Sequence, residues 1–287
     1  MTFVGISRNE QFSPGRQLGD AAIFNGVADA IESDGYDVVR LTESILIKEG
    51  IPEGLSLDGI FHMTRSEDAL RILDKTKEES IPVFNLPSAV RSCRRVAQTE
   101  KLSSSIEFPE SIILNLDQSM SIPETWNIFP CWVKRGDAHS IMIDDVQYVT
   151  SPEKCNSVLS DFYERGIHSA VLQAHIKGNI VKFYGVRGCG FFNHHFIENQ
   201  SESKFGLERF NDNGTVHDFA SERLMDIADR AASILDVDVY GGDAVVSSDG
   251  RITIIDFNDW PSFSCCVNKA ADAIAKLVIK KTYNYHG

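Results

Sequence analysis

The chain has 287 residues, 43% of them hydrophobic and 24% charged, with a formal net charge of −13. That is an ordinary globular composition, long enough for one large domain or for two to three small ones sharing a cleft. The acidic balance argues against a nucleic-acid partner, which needs a basic surface, but not against an anionic ligand at a local Lys/Arg cluster.

Phe3-Val-Gly-Ile-Ser7 reads as a first strand. Apolar residues at helical spacing (Ala22, Ile23, Val27, Ala30, Ile31) predict a helix over 21–32, ending before Gly35. Strands are expected at 36–41 and 57–63. A helix is expected over 66–79, with Ser66 as its N-cap and Glu67 and Asp68 in the first turn. A fourth strand at 81–85 and a helix over 87–102 complete a β-α-β alternation, which implies an open α/β sheet. The middle of the chain changes character. A strand at 111–114 and two strands around a short turn within 129–143 precede a helix over 152–165 capped by Ser151. Strands follow at 170–176 and 179–186, then a polar loop over 199–214 and an amphipathic helix over 219–235. A last helix is expected from about 264 to 280.

No basic segment followed by an apolar run opens the chain, and no apolar stretch reaches membrane-span length, so no signal peptide or membrane partner is expected. The six cysteines form no CxxC pair, which disfavours a zinc site and reads as reduced thiols in a cytoplasmic protein. The adjacent His194 and His195 would point to opposite faces of a strand, so at most one of them enters a cleft.

The most informative stretch is 240–261. Two apolar runs flank Ser248-Asp249-Gly250, a β-hairpin signature. Alternation puts Asp256 and Asn258 on one face and Phe257 on the other, and pairing across the hairpin can bring Asp243 to the same face. Three such oxygen-bearing side chains suit a hard cation such as Mg2+; the alternative is a solvated face with chance acids. Upstream, Lys134, Arg135 and Gly136 fall at a strand-turn, Gln173 and His175 on a strand, and Lys182 on the next. A nucleoside triphosphate needs lysines against its phosphates, a small turn whose backbone N–H groups can approach them, and acids for bridging Mg2+. Arg8 and Arg65 follow strands of the N-terminal sheet, beyond whose carboxyl ends ligands bind, and are candidates to hold an acceptor carboxylate or phosphate; the bland alternative is a solvated loop.

In this order the landmarks resemble the ATP-grasp superfamily along nearly the whole chain. Residues 85–102 look like its connection into the ATP-binding part, Lys134 like its phosphate-contacting lysine, and Gln173-Ala-His-Ile176 like the hinge that holds adenine. Tyr240-Gly-Gly-Asp243 and Ile255-Asp-Phe-Asn258 resemble its two metal-ligand motifs. The resemblance implies an α/β ATP-grasp fold, with an N-terminal open sheet domain at 1–105 and an ATP-grasp domain at 106–287 made of two α+β lobes (106–175 and 176–287) clamping the nucleotide. It further implies ATP and Mg2+ as cofactors and a ligase that joins a carboxylate to an amine through an acyl-phosphate, releasing ADP and phosphate. Arg95, Lys134, Gly136, Gln173, His175 and Lys182 would contact ATP; Asp243, Asp256 and Asn258 the metal; Lys182 and Arg187 the reacting groups; Arg8, Arg65 and His139 the acceptor. His139, close to Gly136, also resembles the basic environment of inositol-phosphate kinases of this fold, so a polyol-phosphate kinase and a non-catalytic ATP sensor are the competing readings. Arg95 stands where many members have lysine, the turn at Gly136 is short, and Ser262 follows Pro261 where members often have glycine. The oligomeric state, a homo-oligomer included, is left open.

Overall fold

The computed structural model of the chain describes residues 1–78, 81–117, 121–138, 142–197, 211 and 217–286. His139 and nearly all of the 199–214 loop lie outside them. The N-terminal part is a parallel sheet in the order β2-β1-β3-β4, from Asp37–Thr42, Thr2–Ser7, Gly59–His62 and Val83–Phe84. Helix α1 (Gln17–Ser33) buries Ile23, Phe24, Val27 and Ile31 against Phe3 and Phe61 on one side of it. The other side packs on α2 (Glu43–Glu49) and α3 (Glu67–Glu78) through Leu46, Ala69 and Leu73. Helix α2 was not expected from periodicity: its seven residues span barely two turns, and only Glu43 and Leu46 are buried.

The region expected as one helix over 87–102 is two, α4 (Pro87–Ser92) and α5 (Arg95–Leu102), interrupted where Arg94 turns to extended geometry (ψ 143°). Two antiparallel sheets follow. One, in the order β5-β8-β6-β7, comprises Ser111–Asn115, Ser169–Ala174, Cys131–Arg135 and Val146–Val149. Strand β7 thus begins later than the turn-strand reading of 129–143 placed it. Helix α6 (Pro152–Glu164) covers one face of this sheet through Val158, Leu159 and Phe162, packed on Cys131, Val133 and Leu172. Alternation then turns Lys134 and Gln173 to the opposite face.

The other sheet, in the order β10-β9-β11-β12, comprises Phe191–Phe196, Asn179–Val186, Val239–Val246 and Ile252–Asp259. Helix α7 (Ser221–Leu235) covers its back, where Val181, Phe183, Tyr240, Ile252, Ile254 and Phe257 are buried with Leu224, Ala228 and Leu235. The chain returns at its end to the N-terminal sheet. Helix α8 (Val267–His286) joins the core formed by α1, Phe61 and the ends of β9 and β11. Among the described residues no helix is long and apolar enough to cross a membrane.

Candidate functional site

Strand β12 carries the decisive local feature. Asp243 pairs with Asp256, but the next pair is Ala244 with Ile254, so Ile255 is an extra residue, a β-bulge. With strict alternation, Ile252, Ile254 and Asp256 would share one face. The bulge resets the phase. Ile252, Ile254 and Phe257 all stay in the core under α7, while Asp256 and Asn258 face the front. There the cross-strand register aligns His195, Lys182, Asp243 and Asp256 in one row over the four strands, with Asn193, Tyr184, Gly241 and Asn258 in the next.

The three candidate metal-ligating side chains are therefore brought to one face, and each has a partner there. Lys182 Nζ donates to Asp243 Oδ1 at 3.0 Å, and Asn258 Nδ2 donates to Asp256 Oδ2 at 3.1 Å. Arg95 Nε lies 3.8 Å from Asp256 Oδ1. Among the described residues no three His, Cys, Asp or Glu side chains meet as a metal cluster. The donor set is two carboxylates and one amide, oxygen ligands of the kind Mg2+ takes when phosphates and water complete its shell.

Lys134 reaches this face from the opposing sheet. Its Nζ donates to Gln173 Oε1 at 2.6 Å and to Ile255 O, the carbonyl freed by the bulge, at 2.9 Å. Burial pushes the ammonium down to about 8, against the attraction of Asp256 and Asp243 and with repulsion from Arg95. Burial likewise lowers the Arg95 guanidinium, opposed chiefly by Asp256. Two buried cations, Lys134 and Arg95, thus face two carboxylates where the two sheets meet, a charge arrangement chemically suited to a phosphate chain and a divalent cation.

The structure does not bring every candidate here. Gly136 is not an open phosphate turn: its N–H donates to Ser169 O, its carbonyl accepts from Val96 N–H, and an added Cβ would lie 2.7 Å from both side chains. Its smallness serves the packing of α5 on β8. His175 lies past the end of β8 with its N–H on Pro130 O and its ring accepting the Trp132 indole N–H at 3.1 Å. Strand β8 is internal, so residues 169–174 offer no free edge to an adenine. Arg187 points away, bound to Asp238 and Asp236 beside Lys281. Arg8 and Arg65 do converge, but on Asp259. Arg8 also bonds Asp20 at 2.9 Å and the carbonyls of Met63 and Trp260, with only 5% of its side chain exposed. The expectation that they hold an acceptor group has no support in this geometry; a buried carboxylate takes both. His139 lies outside the described residues.

Sequence reading missed Gln98. Strand β12 is an edge strand, and on its outer side the carboxamide of Gln98 donates to Phe257 O at 3.2 Å and accepts from Phe257 N at 3.1 Å. It thus fixes the backbone between Asp256 and Asn258. A glutamine inside a helical pattern carries no signal for this. The aromatic group of Trp132, Tyr148 and His175 was also missed; its rings lie 5.1–6.0 Å apart beside Gln173. The only signal was the cross-strand pairing of Trp132 with Tyr148, which needs the register.

No family model matches the sequence, and no curated protein matches it. Solved structures do share its fold. A D-alanine–D-alanine ligase from Bacillus anthracis complexed with ATP is similar over 99% of this chain and 98% of that one, with a TM-score of 0.67 and 16% identity. A RimK domain ATP-grasp protein from Sphaerobacter thermophilus is similar over 96% and 99%, with a TM-score of 0.68 and 14% identity. The D-alanine–D-alanine ligase of Coxiella burnetii is similar over 100% and 97%, with a TM-score of 0.70 and 11% identity. The chain has the ATP-grasp fold.

Proposed function

We propose that the protein is an ATP- and Mg2+-dependent ligase that joins a carboxylate to an amine, both small molecules. The observation that carries this reading is the convergence of Lys134 and Arg95 on the face of Asp243, Asp256 and Asn258 where the two antiparallel sheets meet. Its support from the fold is that D-alanine–D-alanine ligases, one solved with ATP, share the architecture along nearly their whole length.

Lys134 and Arg95 would offset charge on the triphosphate. The Gln173 carbonyl holds the lysine in place, and Lys182 would move from Asp243 to the transferred phosphoryl group. Asp243, Asp256 and Asn258 would hold Mg2+, which when bound spreads charge on that group. With the carboxylate aligned on the γ-phosphoryl group, a carboxylate oxygen bonds to the phosphorus as its bond to ADP breaks, giving an acyl-phosphate and ADP. Transfer of the acyl group to the amine then forms the amide, with phosphate released from the acyl-phosphate.

The test is ADP release from Mg-ATP by wild type and Asp256→Ala, against pools of amino acids, short peptides and sugar or inositol phosphates. The expected result is release with an amino-acid or peptide pool, reduced at least 100-fold by the substitution (about 3 kcal/mol of transition-state stabilisation). Release with phosphorylated polyols alone would replace the ligase by a kinase. Nucleotide binding without release from any pool would leave a sensor.

A further inference from the structure

The segment after β12, Trp260-Pro261-Ser262-Phe263-Ser264-Cys265-Cys266, contains two bulky residues in the left-handed region, Trp260 at φ 33° and Phe263 at φ 50°. Non-glycine residues there are strained and persist only where the surroundings force them. Here both rings are fully buried: Trp260 stacks on Phe61, and Phe263 packs on Tyr184 and Phe191. Between them Pro261 crosses the sheet at Gly241, where an added Cβ would lie 2.7 Å from the proline ring. The distorted segment therefore folds back over the front face that carries the metal-ligand candidates.

It delivers Cys265 to that face. The exposed thiol Sγ lies 3.5 Å from His195 Nδ1 and 3.5 Å from Asn193 Oδ1. The His195 ring is stacked on Tyr184, centroids 6.0 Å apart at 18°, which fixes its plane. His195 is the cross-strand neighbour of Lys182, and Lys182 that of Asp243. A thiol and an imidazole thus stand at the end of the row of phosphoryl-transfer candidates away from Asp256, with the Asn193 amide in the adjacent row. Its neighbour His194 faces the other way, to Ser221. A nucleophile within reach of a base whose ring is held by a third group is the arrangement of covalent catalysis, and the thiolate is the reactive form of cysteine.

We propose that Cys265, activated by His195, is an acyl-accepting nucleophile: it takes the acyl group from the acyl-phosphate as a thioester and passes it to the amine. In the first step the thiol proton moves to His195 Nδ1, the C–S bond forms, and the C–O bond to phosphate breaks, phosphate leaving. In the second the amine nitrogen attacks the thioester carbonyl, the C–N bond forms and the C–S bond breaks. The departing thiolate recovers its proton from the imidazolium, and the surplus amine proton goes to water. No oxidant or reductant is involved. The acyl donor comes from the ligase reading above, and the test is chosen to work without it.

Acetyl phosphate, a small acyl-phosphate that needs neither ATP nor the unidentified acid, serves as the probe. The full chain is incubated with it and its intact mass and modified peptides are measured before and after neutral hydroxylamine, which cleaves thioesters but not acetyl-lysine. The expected result is an acetyl group on Cys265, removed by hydroxylamine, absent in Cys265→Ala, retained in Cys266→Ser, and formed at least tenfold more slowly in His195→Gln. Iodoacetamide alkylation gives a second readout: labelling of Cys265 slows at least several-fold in His195→Gln while labelling of Cys189 and Cys266 is unchanged, a selectivity that general loss of packing would not produce. Acetylation spread equally over Cys189, Cys265 and Cys266, or a rate indifferent to His195, overturns the proposal. ADP release without a thioester would sink the thiol and keep the ligase; the thioester without ADP release would do the reverse.

Discussion

Lys134 shows how one side chain takes its character from three surroundings. Its strand position turns it away from the α6 core, burial removes water from its ammonium, and the bulge carbonyl of Ile255 gives that ammonium a second acceptor. With the folded value pushed down to about 8, the free protein loses this charge as pH rises through that value. Affinity for the anionic nucleotide is therefore expected to fall between pH 7 and 9. The unfolded chain keeps its proton to about 10.5, so folding stability gains from this residue as pH rises from 8 toward 10.5. Replacing Lys134 by Met should weaken Mg-ATP binding by roughly 10- to 100-fold at pH 7, the worth of one or two charge-assisted hydrogen bonds. It should also flatten the pH dependence, and calorimetric titration at several pH values checks both. An equal slope in the variant would assign the titration to another group.

At the scale of elements, strand β12 is held from both sides by different means. Its inner edge pairs with β11, while its outer edge is met piecewise: Glu107 O accepts from Ile254 N, Lys134 donates to Ile255 O, and Gln98 satisfies both backbone groups of Phe257. A buried edge strand would otherwise leave these groups unpaired, at about 1–3 kcal/mol each. Gln98→Leu keeps the volume and removes the pairing. It should lower stability by roughly 2 kcal/mol in urea denaturation and raise the Mg2+ concentration for half-maximal ADP release several-fold. A stability loss with an unchanged Mg2+ requirement would restrict Gln98 to a structural role. Alternation puts Asp256 and Asn258 on one face and hairpin pairing can add Asp243, but the bulge that makes this compatible with burying Ile252, Ile254 and Phe257 on one side shows only in the structure.

At the scale of the whole molecule, the N-terminal sheet and the C-terminal end are fastened through Asp259. This carboxylate, 1% exposed, lies between Arg8 and Arg65, and Arg8 continues to Asp20 and Ser13. Asn85 adds a second tie, its side chain bonding Asp238 N, Val239 N and Val239 O at the start of β11. Asp259→Ala leaves two buried guanidiniums short of a counter-charge and is expected to cost about 3–5 kcal/mol. The transition midpoint in denaturant reads this directly. A change below 1 kcal/mol would mean the arginines re-pair locally with Asp20 and the clamp is redundant. Because Asp259 follows Asn258, this clamp also sets where β12 ends and where the Trp260–Phe263 bend begins.

Most of the strands and helices, the hairpin with its acids, and the basic residues upstream follow from the sequence by itself, while the short α2, the break between α4 and α5 and the place of β7 do not. Apolar periodicity, caps and turn residues act over a few neighbours and leave a local record. What was settled only in three dimensions is who meets whom. Arg8, Arg65 and Arg187 read as ligand-binding cations and prove to be ion-paired. Gly136 reads as an open turn and proves to be a packing contact. Gln98 and His195 gain their places from residues 159 and 13 positions away, Phe257 and Lys182 respectively. A charge in a sequence has no fixed partner. Only the folded chain decides whether a guanidinium faces a cleft or a buried carboxylate, because that choice rests on desolvation and distance, and neither is a property of the local sequence.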